Sequence, residues 1–213
     1  MTDYSRLPKG VSKIAWGFIF ILIHVKINSF DMLPDFVGYI LILSGINNLK
    51  DECKTISLLR PLGLFLTVWN IIAIFSGFTS LGVIMSYISG IVSIINIYFT
   101  FQLLTECSLI AARYQSSDDN LDKTIRTRRN IHTVCITIMQ ITMIVIQYIP
   151  EEFQEISIFV PAVSGVVALI VLLMTVSSLF RLKRLLAAYA ASREESTEDT
   201  DTEEDSPEDD ESC

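Results

Sequence analysis

The hydrophobic positions of this sequence fall in long runs separated by short charged stretches. Runs without Asp, Glu, Lys or Arg cover residues 14–25, 36–49, 61–105, 130–150 and 156–180. A helix needs about 20 residues to cross roughly 30 Å of hydrocarbon, so the longest run predicts two helices, joined at the turn residues SGFTSLG of 76–82. The pattern predicts an all-α polytopic membrane bundle of about six segments, at 14–30, 36–49, 61–78, 81–105, 130–150 and 156–180.

The distribution of basic residues predicts the orientation of these segments. With the N-terminus in the cytoplasm, fifteen bases fall in cytoplasmic stretches and only Lys26 falls outside. Such an asymmetry follows the positive-inside rule and predicts that both termini are cytoplasmic. The fifteen bases are Arg6, Lys9, Lys13, Lys50, Lys54, Arg60, Arg113, Lys123, Arg126, Arg128, Arg129, Arg181, Lys183, Arg184 and Arg193.

The first two segments are short for a bilayer, and the sequence leaves two arrangements open. Their uninterrupted apolar runs are 14–25 and 36–49, which as helices would reach only about 18 and 21 Å. Either the helices extend and cross, with Lys26 snorkelling outward, or the pair forms a re-entrant hairpin. Crossing is favoured, because Asp31, Pro34 and Asp35 are costly at membrane depth unless protein or water surrounds them.

Composition supports membrane insertion and divides the rest of the chain. The chain is 51% hydrophobic and 19% charged, with a mean hydropathy of +0.48. The net charge of −8 arises in the tail, since residues 194–213 contain twelve acids and no base. We therefore predict a cytoplasmic N-terminus at 1–13, a membrane domain at 14–180, a basic amphipathic segment at 181–193 that lies on the anionic inner surface, and a disordered acidic tail at 194–213.

Motifs for catalysis and for cofactor or metal binding were sought without success. The sequence has two histidines, His24 and His132, which the predicted topology places at opposite interfaces. No CxxC or Cys-His spacing suggests zinc, and no Walker loop or GxGD motif is present. The sequence predicts no catalytic residue, no metal and no cofactor, and it lacks the basic, aromatic-rich stripe of a nucleic-acid binder.

Two polar or small-residue features are candidates for structural or functional roles. The turn containing Asp31 and Asp35 is expected at the outer surface, where the two carboxylates either cap a helix or bind a cation; capping is favoured. Gly82, Ser86 and Gly90 recur every four residues, a spacing that lets a second helix approach closely.

Three amides are expected near the centre of the bilayer. Asn70, Asn96 and Gln140 each lie about 14 to 15 Å from the predicted inner end of their segment. Because an amide facing lipid leaves its hydrogen bonds unmet, we expect the three to point inward and meet. They form either interhelical hydrogen bonds or a polar solute site; the first is favoured.

The first quarter of the chain resembles a known group of proteins. Residues 9–10 (KG), 13–18 (KIAWGF), 27–28 (IN) and 31–40 (DMLPDFVGYI) resemble the opening of small, uncharacterised multi-pass membrane proteins of clostridial-type bacteria. The resemblance covers roughly residues 9–62, with LPDFVGY as its most specific stretch. It implies a bacterial plasma membrane and no particular activity.

The sequence thus favours a non-enzymatic membrane protein that acts through the bilayer, through membrane-protein partners or through a second copy of itself. A small-solute carrier with a polar midplane site is the alternative, although no charged residue lies deep in any predicted segment, as ion-coupled carriers usually require.

Overall fold

The computed structural model describes residues 5–22, 26–27, 30–31, 35–50, 52, 54–76, 82–116, 119–146, 150 and 158–203. Six α-helices lie in this part of the chain: α1 (Arg6–Leu22), α2 (Asp35–Leu49), α3 (Leu59–Ser76), α4 (Gly82–Tyr114), α5 (Leu121–Val145) and α6 (Phe159–Glu203). A 3₁₀ turn, Lys54–Leu58, precedes α3. Two short strands, β1 (Lys26–Ile27) and β2 (Phe30–Asp31), pair antiparallel between α1 and α2.

The helices form a closed ring in chain order. Each helix from α1 to α5 packs on the next, α5 packs on α6, and α6 returns to pack on α1. Consecutive helices run antiparallel, so the start of α1, the end of α2, the start of α3, the end of α4 and the start of α5 meet at one end of the bundle. Residues 181–193 of α6 join them there. All fifteen bases assigned to the cytoplasm belong to this end, which we call the basic end.

Three of the described helical stretches are long and apolar enough to cross a membrane: Thr55–Ala73, Ile88–Tyr114 and Phe159–Arg193. Their large apolar side chains are widely exposed on the outside of the bundle. Examples are Leu64, Ile94, Val163 and Leu173, each about half exposed or more. An outward apolar surface of this extent is typical of lipid-facing helices, because lipid offers apolar side chains no reason to be buried.

Glycines bring α1 and α2 into backbone contact. Gly10 and Gly17 are seven residues apart on α1, and Gly38 and Gly45 are seven apart on α2. A Cβ atom added to Gly45 would lie 2.7 Å from the carbonyl oxygen of Gly10, and one added to Gly38 would lie 2.7 Å from that of Gly17. Because seven residues make nearly two helical turns, each pair of glycines stays on one face. This contact is the most extensive between any two helices of the described residues.

The α1–α2 pair is shorter than the rest of the ring. Trp16 of α1 packs edge to face on Phe180 of α6, with ring centroids 6.0 Å apart. Counting six residues along each antiparallel helix brings Leu22, the end of α1, level with Met174. The apolar part of α6 runs from residue 159 to 180, so α1 ends near its middle.

The start of α2 gives the same depth. The Tyr39 hydroxyl donates a hydrogen bond to the Asn96 side chain, 2.9 Å away. Asn96 is fourteen residues from Gly82, where α4 begins, or about 21 Å along the helix. The helical part of the α1–α2 pair therefore covers only the half of the bundle nearest the basic end.

Several helices extend past the charged residues at which the predicted segments stop. Helix α1 begins at Arg6 rather than residue 14, α4 continues to Tyr114 rather than 105, and α5 begins at Leu121 rather than 130. The reason is that helical hydrogen bonding does not stop at the hydrocarbon boundary, and Lys, Arg and Glu are good helix formers. Hydrophobic runs measure the membrane part of a helix, not the whole helix.

Helix α6 contradicts two predictions about the C-terminal region. It continues without a break to Glu203, so the first ten residues of the segment predicted to be disordered, 194–203, are helical; residues 204–213 lie outside the described residues. In the basic segment 181–193, Leu182, Leu186 and Ala190 are buried in the protein core rather than directed at a membrane surface. The amphipathic pattern was recognised correctly, but its apolar face packs against the basic end.

Candidate functional site

The three amides expected at mid-depth each occupy a different environment. Asn70 donates a hydrogen bond to the carbonyl oxygen of Leu66 in its own helix, at 2.8 Å. Asn96 accepts the bond from Tyr39, which joins α4 to α2. Gln140 is partly buried on α5. Among the described residues no hydrogen bond links one of these amides to another.

The α3–α4 contact shows why Asn70 and Asn96 do not meet. A Cβ atom on Gly63 of α3 would lie 3.2 Å from the Phe99 ring of α4. Counting seven residues from each, away from the basic end, brings Asn70 level with Val92. Asn96 lies four residues, or about 6 Å, nearer the basic end. Counting from hydrophobic boundaries missed this offset because α4 continues well past Thr105.

A cavity of about 180 Å³ lies beside Asn96, between α1, α4, α5 and α6. Its polar lining comes from Asn96 and Thr100 on α4 and from His132 and Thr133 on α5. Apolar side chains complete the wall: Phe18, Ile21, Ile97, Ile136 and Leu172. Sequence analysis identified Asn96 but placed His132 at the inner interface, away from any site.

The polar lining of this cavity has unused hydrogen-bonding capacity. Within the described residues, the only side-chain hydrogen bond of Asn96 uses its oxygen, so its two N–H donors remain available. Thr133 bonds the carbonyl oxygen of Arg129, whereas neither Thr100 nor the His132 ring forms a hydrogen bond with a described residue. Donors and acceptors therefore line a space large enough for several water molecules or a small ligand.

A polar cluster lies just below the cavity, toward the basic end. Arg129 is 8% exposed, donates to the Thr105 hydroxyl at 2.6 Å, and lies 4.1 Å from the centre of the Phe101 ring. Glu106, next to Thr105, is 3% exposed and accepts a hydrogen bond from Gln102 at 3.2 Å. Neighbouring Arg128 bonds Ser178 and the carbonyl oxygen of Met174, and so ties α5 to α6.

The burial of Glu106 was missed by sequence analysis. The predicted segment ended at Thr105, so Glu106 was counted as a loop residue. Its spacing gives the signal that was available: Phe99, Leu103 and Ile110, at minus seven, minus three and plus four, are buried on the same face.

Charged side chains connect the helix ends at the basic end. Arg113 pairs with Glu52 at 2.7 Å, and Arg181 pairs with Asp119 at 3.1 Å. Across the α4–α5 connection, Gln115 donates to Asp122 at 2.7 Å and accepts from its backbone N–H. The Gln115 hydrogen bond stabilises the ionised carboxylate and holds the pKa of Asp122 below its ordinary value, with smaller contributions from Arg126 and Lys123.

The predicted outer turn and the predicted small-residue stripe are described in part. Asp31 ends β2, paired with Lys26, and Asp35 is in the first turn of α2, as expected for a capping acid. On α4, a Cβ atom at Gly90 would have no neighbour within 4 Å, so no helix of this chain approaches there. Gly82 begins α4 and Ser86 lies in its second turn; their side-chain surroundings lie outside the described residues. The close glycine contacts occur instead between α1 and α2.

A second pocket, of about 400 Å³, opens at the basic end between α1, α2 and α6. Its lining includes three lysines, Lys9, Lys13 and Lys183, and three large apolar residues, Trp16, Phe20 and Leu41. Lys13 is held by a hydrogen bond to the Ser44 hydroxyl at 2.8 Å. We call this the lysine pocket.

Comparisons with protein families, with characterised proteins and with solved structures find no match to this chain. Within the described ranges, no group of three or more His, Cys, Asp or Glu side chains is placed to hold a metal ion. The candidate sites are therefore defined by their geometry alone: the cavity beside Asn96, the polar cluster around Arg129, and the lysine pocket.

Proposed function

We propose that this chain is an integral protein of a bacterial plasma membrane that catalyses no reaction and acts by presenting a helical arm to a partner in the cytoplasm. The observation that carries the proposal is the continuity of α6. Its apolar part ends at Phe180, and the same helix continues for 23 residues to Glu203, about 35 Å. We call residues 181–203 the arm.

The root of the arm is fixed to the bundle by several contacts. Tyr189 packs edge to face on Tyr114 of α4, with ring centroids 4.9 Å apart. Leu182 and Leu186 are buried, and Arg181 pairs with Asp119 of the α4–α5 connection. A helix held in this way keeps a defined direction, unlike a flexible tail, and so costs less entropy when a partner binds.

The far part of the arm carries six acids and no base in residues 194–203. Complementary charge steers association, so the partner expected here has a basic surface. This gives the interaction a chemical signature, namely loss of binding at high salt.

The proposed orientation places the basic end in the cytoplasm. It is supported by the collection of fifteen bases at one end of the bundle, which the positive-inside rule assigns to the inner side. Reporters of cytoplasmic and external location, fused after Asn48, Gln115 and Ser192, should all give cytoplasmic signal. External activity at any of the three positions contradicts the orientation.

Whether six segments cross the bilayer, as the hydrophobic runs predict, depends on α1 and α2. Their half-length packing favours the re-entrant arrangement, in which the pair enters from the cytoplasm and only α3, α4, α5 and α6 cross. Either arrangement returns the chain to the same side. Spin labels on Ile40→Cys of α2 and Ile94→Cys of α4, both outward-facing, should report equal depth near the bilayer centre if the pair is re-entrant. A shallow label at Ile40 beside a deep one at Ile94 would show that the pair crosses.

The arm is tested by affinity purification of the full chain from native membranes in mild detergent. We expect a stoichiometric, salt-sensitive partner that is lost when the six acids of 194–203 are replaced by Gln or Asn. A matched variant, with the six surface bases Lys50, Lys54, Lys123, Arg126, Arg184 and Arg193 replaced by Gln, should retain it. A chain that purifies alone, or a partner indifferent to both variants, contradicts the proposal.

The cavity beside Asn96 supports a second candidate function, a carrier or receptor for a small neutral solute. Its unused donors and acceptors and its 180 Å³ volume suit a polar molecule of a few heavy atoms. A solute that binds there raises the melting temperature of the purified chain. Ile136→Trp, which fills the cavity, should abolish that rise, whereas Ile138→Trp, on the exposed side of α5, should not. No stabilising solute, or one that stabilises both variants equally, counts against this function.

A further inference from the structure

We propose that the lysine pocket binds an anionic phospholipid of the inner leaflet, with the phosphate on the lysines and an acyl chain along Trp16, Phe20 and Leu41. The inference goes beyond the proposed function but rests on its membrane insertion. It is carried by three features of the described residues: uncompensated positive charge, an apolar track next to that charge, and the depth of both.

The first feature is positive charge without a counter-charge. Lys9 and Lys13 lie one turn apart on α1, and Lys183 approaches from α6. No acidic residue lines the pocket, and among the described residues none of the three lysines forms an ion pair. Like charges held this close repel one another, so an anion between them relieves a cost that the folded chain otherwise carries.

The second feature is the apolar track that leads from the lysines into the bundle. Phe20 lies seven residues beyond Lys13 on α1, about 10 Å deeper along the helix. Trp16 lies between them, is 49% exposed and is braced by Phe180. Leu41 of α2 lines the same pocket. A free phosphate ion needs the lysines but not this track, whereas a phospholipid uses both.

The third feature is depth. Trp16 and Phe180 lie where the apolar part of α6 gives way to Arg181, which is the level of the inner membrane interface. Tryptophan favours this level, and basic pockets between helices at the cytoplasmic side suit anionic headgroups. Because α1 and α2 end near mid-depth, the pocket faces one leaflet only. Its volume of about 400 Å³ is in the range of ligand sites.

The test is native mass spectrometry of the full chain in neutral detergent, titrated with phosphatidylglycerol or with phosphatidylcholine of the same acyl chains. We expect saturable retention of one phosphatidylglycerol and much weaker retention of phosphatidylcholine. Replacing Lys9, Lys13 and Lys183 by Gln should weaken phosphatidylglycerol binding about fivefold for each lysine.

A control of equal charge change separates a site from a general attraction. Lys50, Lys123 and Arg126 are exposed at the same end of the bundle but outside the pocket. Replacing these three by Gln should leave retention unchanged. If both triple variants lose binding equally, the attraction is diffuse and the proposed site is wrong.

A further arm distinguishes a lipid from a soluble phosphate compound. Trp16→Ala should reduce phosphatidylglycerol retention while leaving any binding of inorganic phosphate unchanged, and inorganic phosphate at the lipid concentration should not displace the lipid. Displacement by phosphate, with no effect of Trp16→Ala, overturns the lipid assignment. Extraction of native membranes with alkaline carbonate tests the proposed function separately. A chain released by carbonate is not integral, whereas an integral chain without headgroup selectivity refutes only the lipid site.

Discussion

Gly17 of α1 and Gly38 of α2 meet backbone to backbone: a Cβ atom added to either would lie 2.7 Å from the carbonyl oxygen of the other. Real Cβ atoms do not approach a carbonyl oxygen so closely, so neither position accepts a side chain unless the helices move apart. The second pair, Gly10 and Gly45, repeats the contact two turns away. These four glycines set the spacing of α1 and α2, and with it the position of the lysines that α1 contributes to the pocket.

The first prediction concerns this contact. Gly38→Ala should destabilise the protein by about 1 to 3 kcal/mol, because the added methyl group overpacks a backbone contact. The measurement is reversible unfolding in mixed detergent, with Gly90→Ala as the matched control. Gly90 is also in a helix, but a Cβ there meets nothing within 4 Å, so its replacement should be neutral or stabilise by up to about 1 kcal/mol. Equal effects of the two changes would show that α1 and α2 are not in close contact.

The second prediction concerns the hydrogen bond between α2 and α4. Tyr39→Phe removes the hydroxyl that donates to Asn96 and should cost about 0.6 to 1.5 kcal/mol of stability. Tyr98→Phe, which removes an exposed hydroxyl on α4, should change stability little. In a double-mutant cycle, Asn96→Leu should make the Tyr39→Phe change nearly silent. Additive effects would mean that the two side chains do not interact.

The third prediction concerns the α3–α4 register. From the Gly63–Phe99 contact we expect Asn70 to lie level with Val92, so Asn70→Cys should crosslink oxidatively with Val92→Cys more readily than with Asn96→Cys. The native Cys53, Cys107, Cys135 and Cys213 are first replaced by Ser or Ala. Faster crosslinking of the Asn70–Asn96 pair would restore the shared polar layer expected from counting along the sequence.

The fourth prediction concerns pH. The pKa of Asp122 is lowered in the folded state, chiefly by the Gln115 hydrogen bond, below its unfolded value of about 3.9. Its contribution to stability is therefore fully present above that value and is lost as the pH falls through the lowered, folded pKa. Gln115→Ala should raise the pKa of Asp122, measured by carboxyl ¹³C NMR, and Lys123→Gln should raise it less. A larger effect of Lys123→Gln would contradict the assigned cause.

The hydrophobic runs of the sequence determined the helical class of this protein and the approximate place of each helix. The length of chain that can lie in hydrocarbon is fixed by local composition, so a residue-by-residue count is enough. The same holds for the basic residues. Their even placement between alternate runs predicts that they gather at one end of any antiparallel bundle, whichever helices touch.

What only the tertiary structure decided is which surfaces meet and at what level. The offset of Asn70 from Asn96, the burial of Glu106 and the half-length packing of α1 and α2 all depend on the register between helices. That register is set by contacts between residues far apart in the chain, such as Gly17 with Gly38 and Trp16 with Phe180. The lysine pocket is of the same kind, because Lys13 and Lys183 are distant in sequence and come together only when α6 closes the ring onto α1. Composition can place a residue near a boundary, but only packing assigns its neighbour.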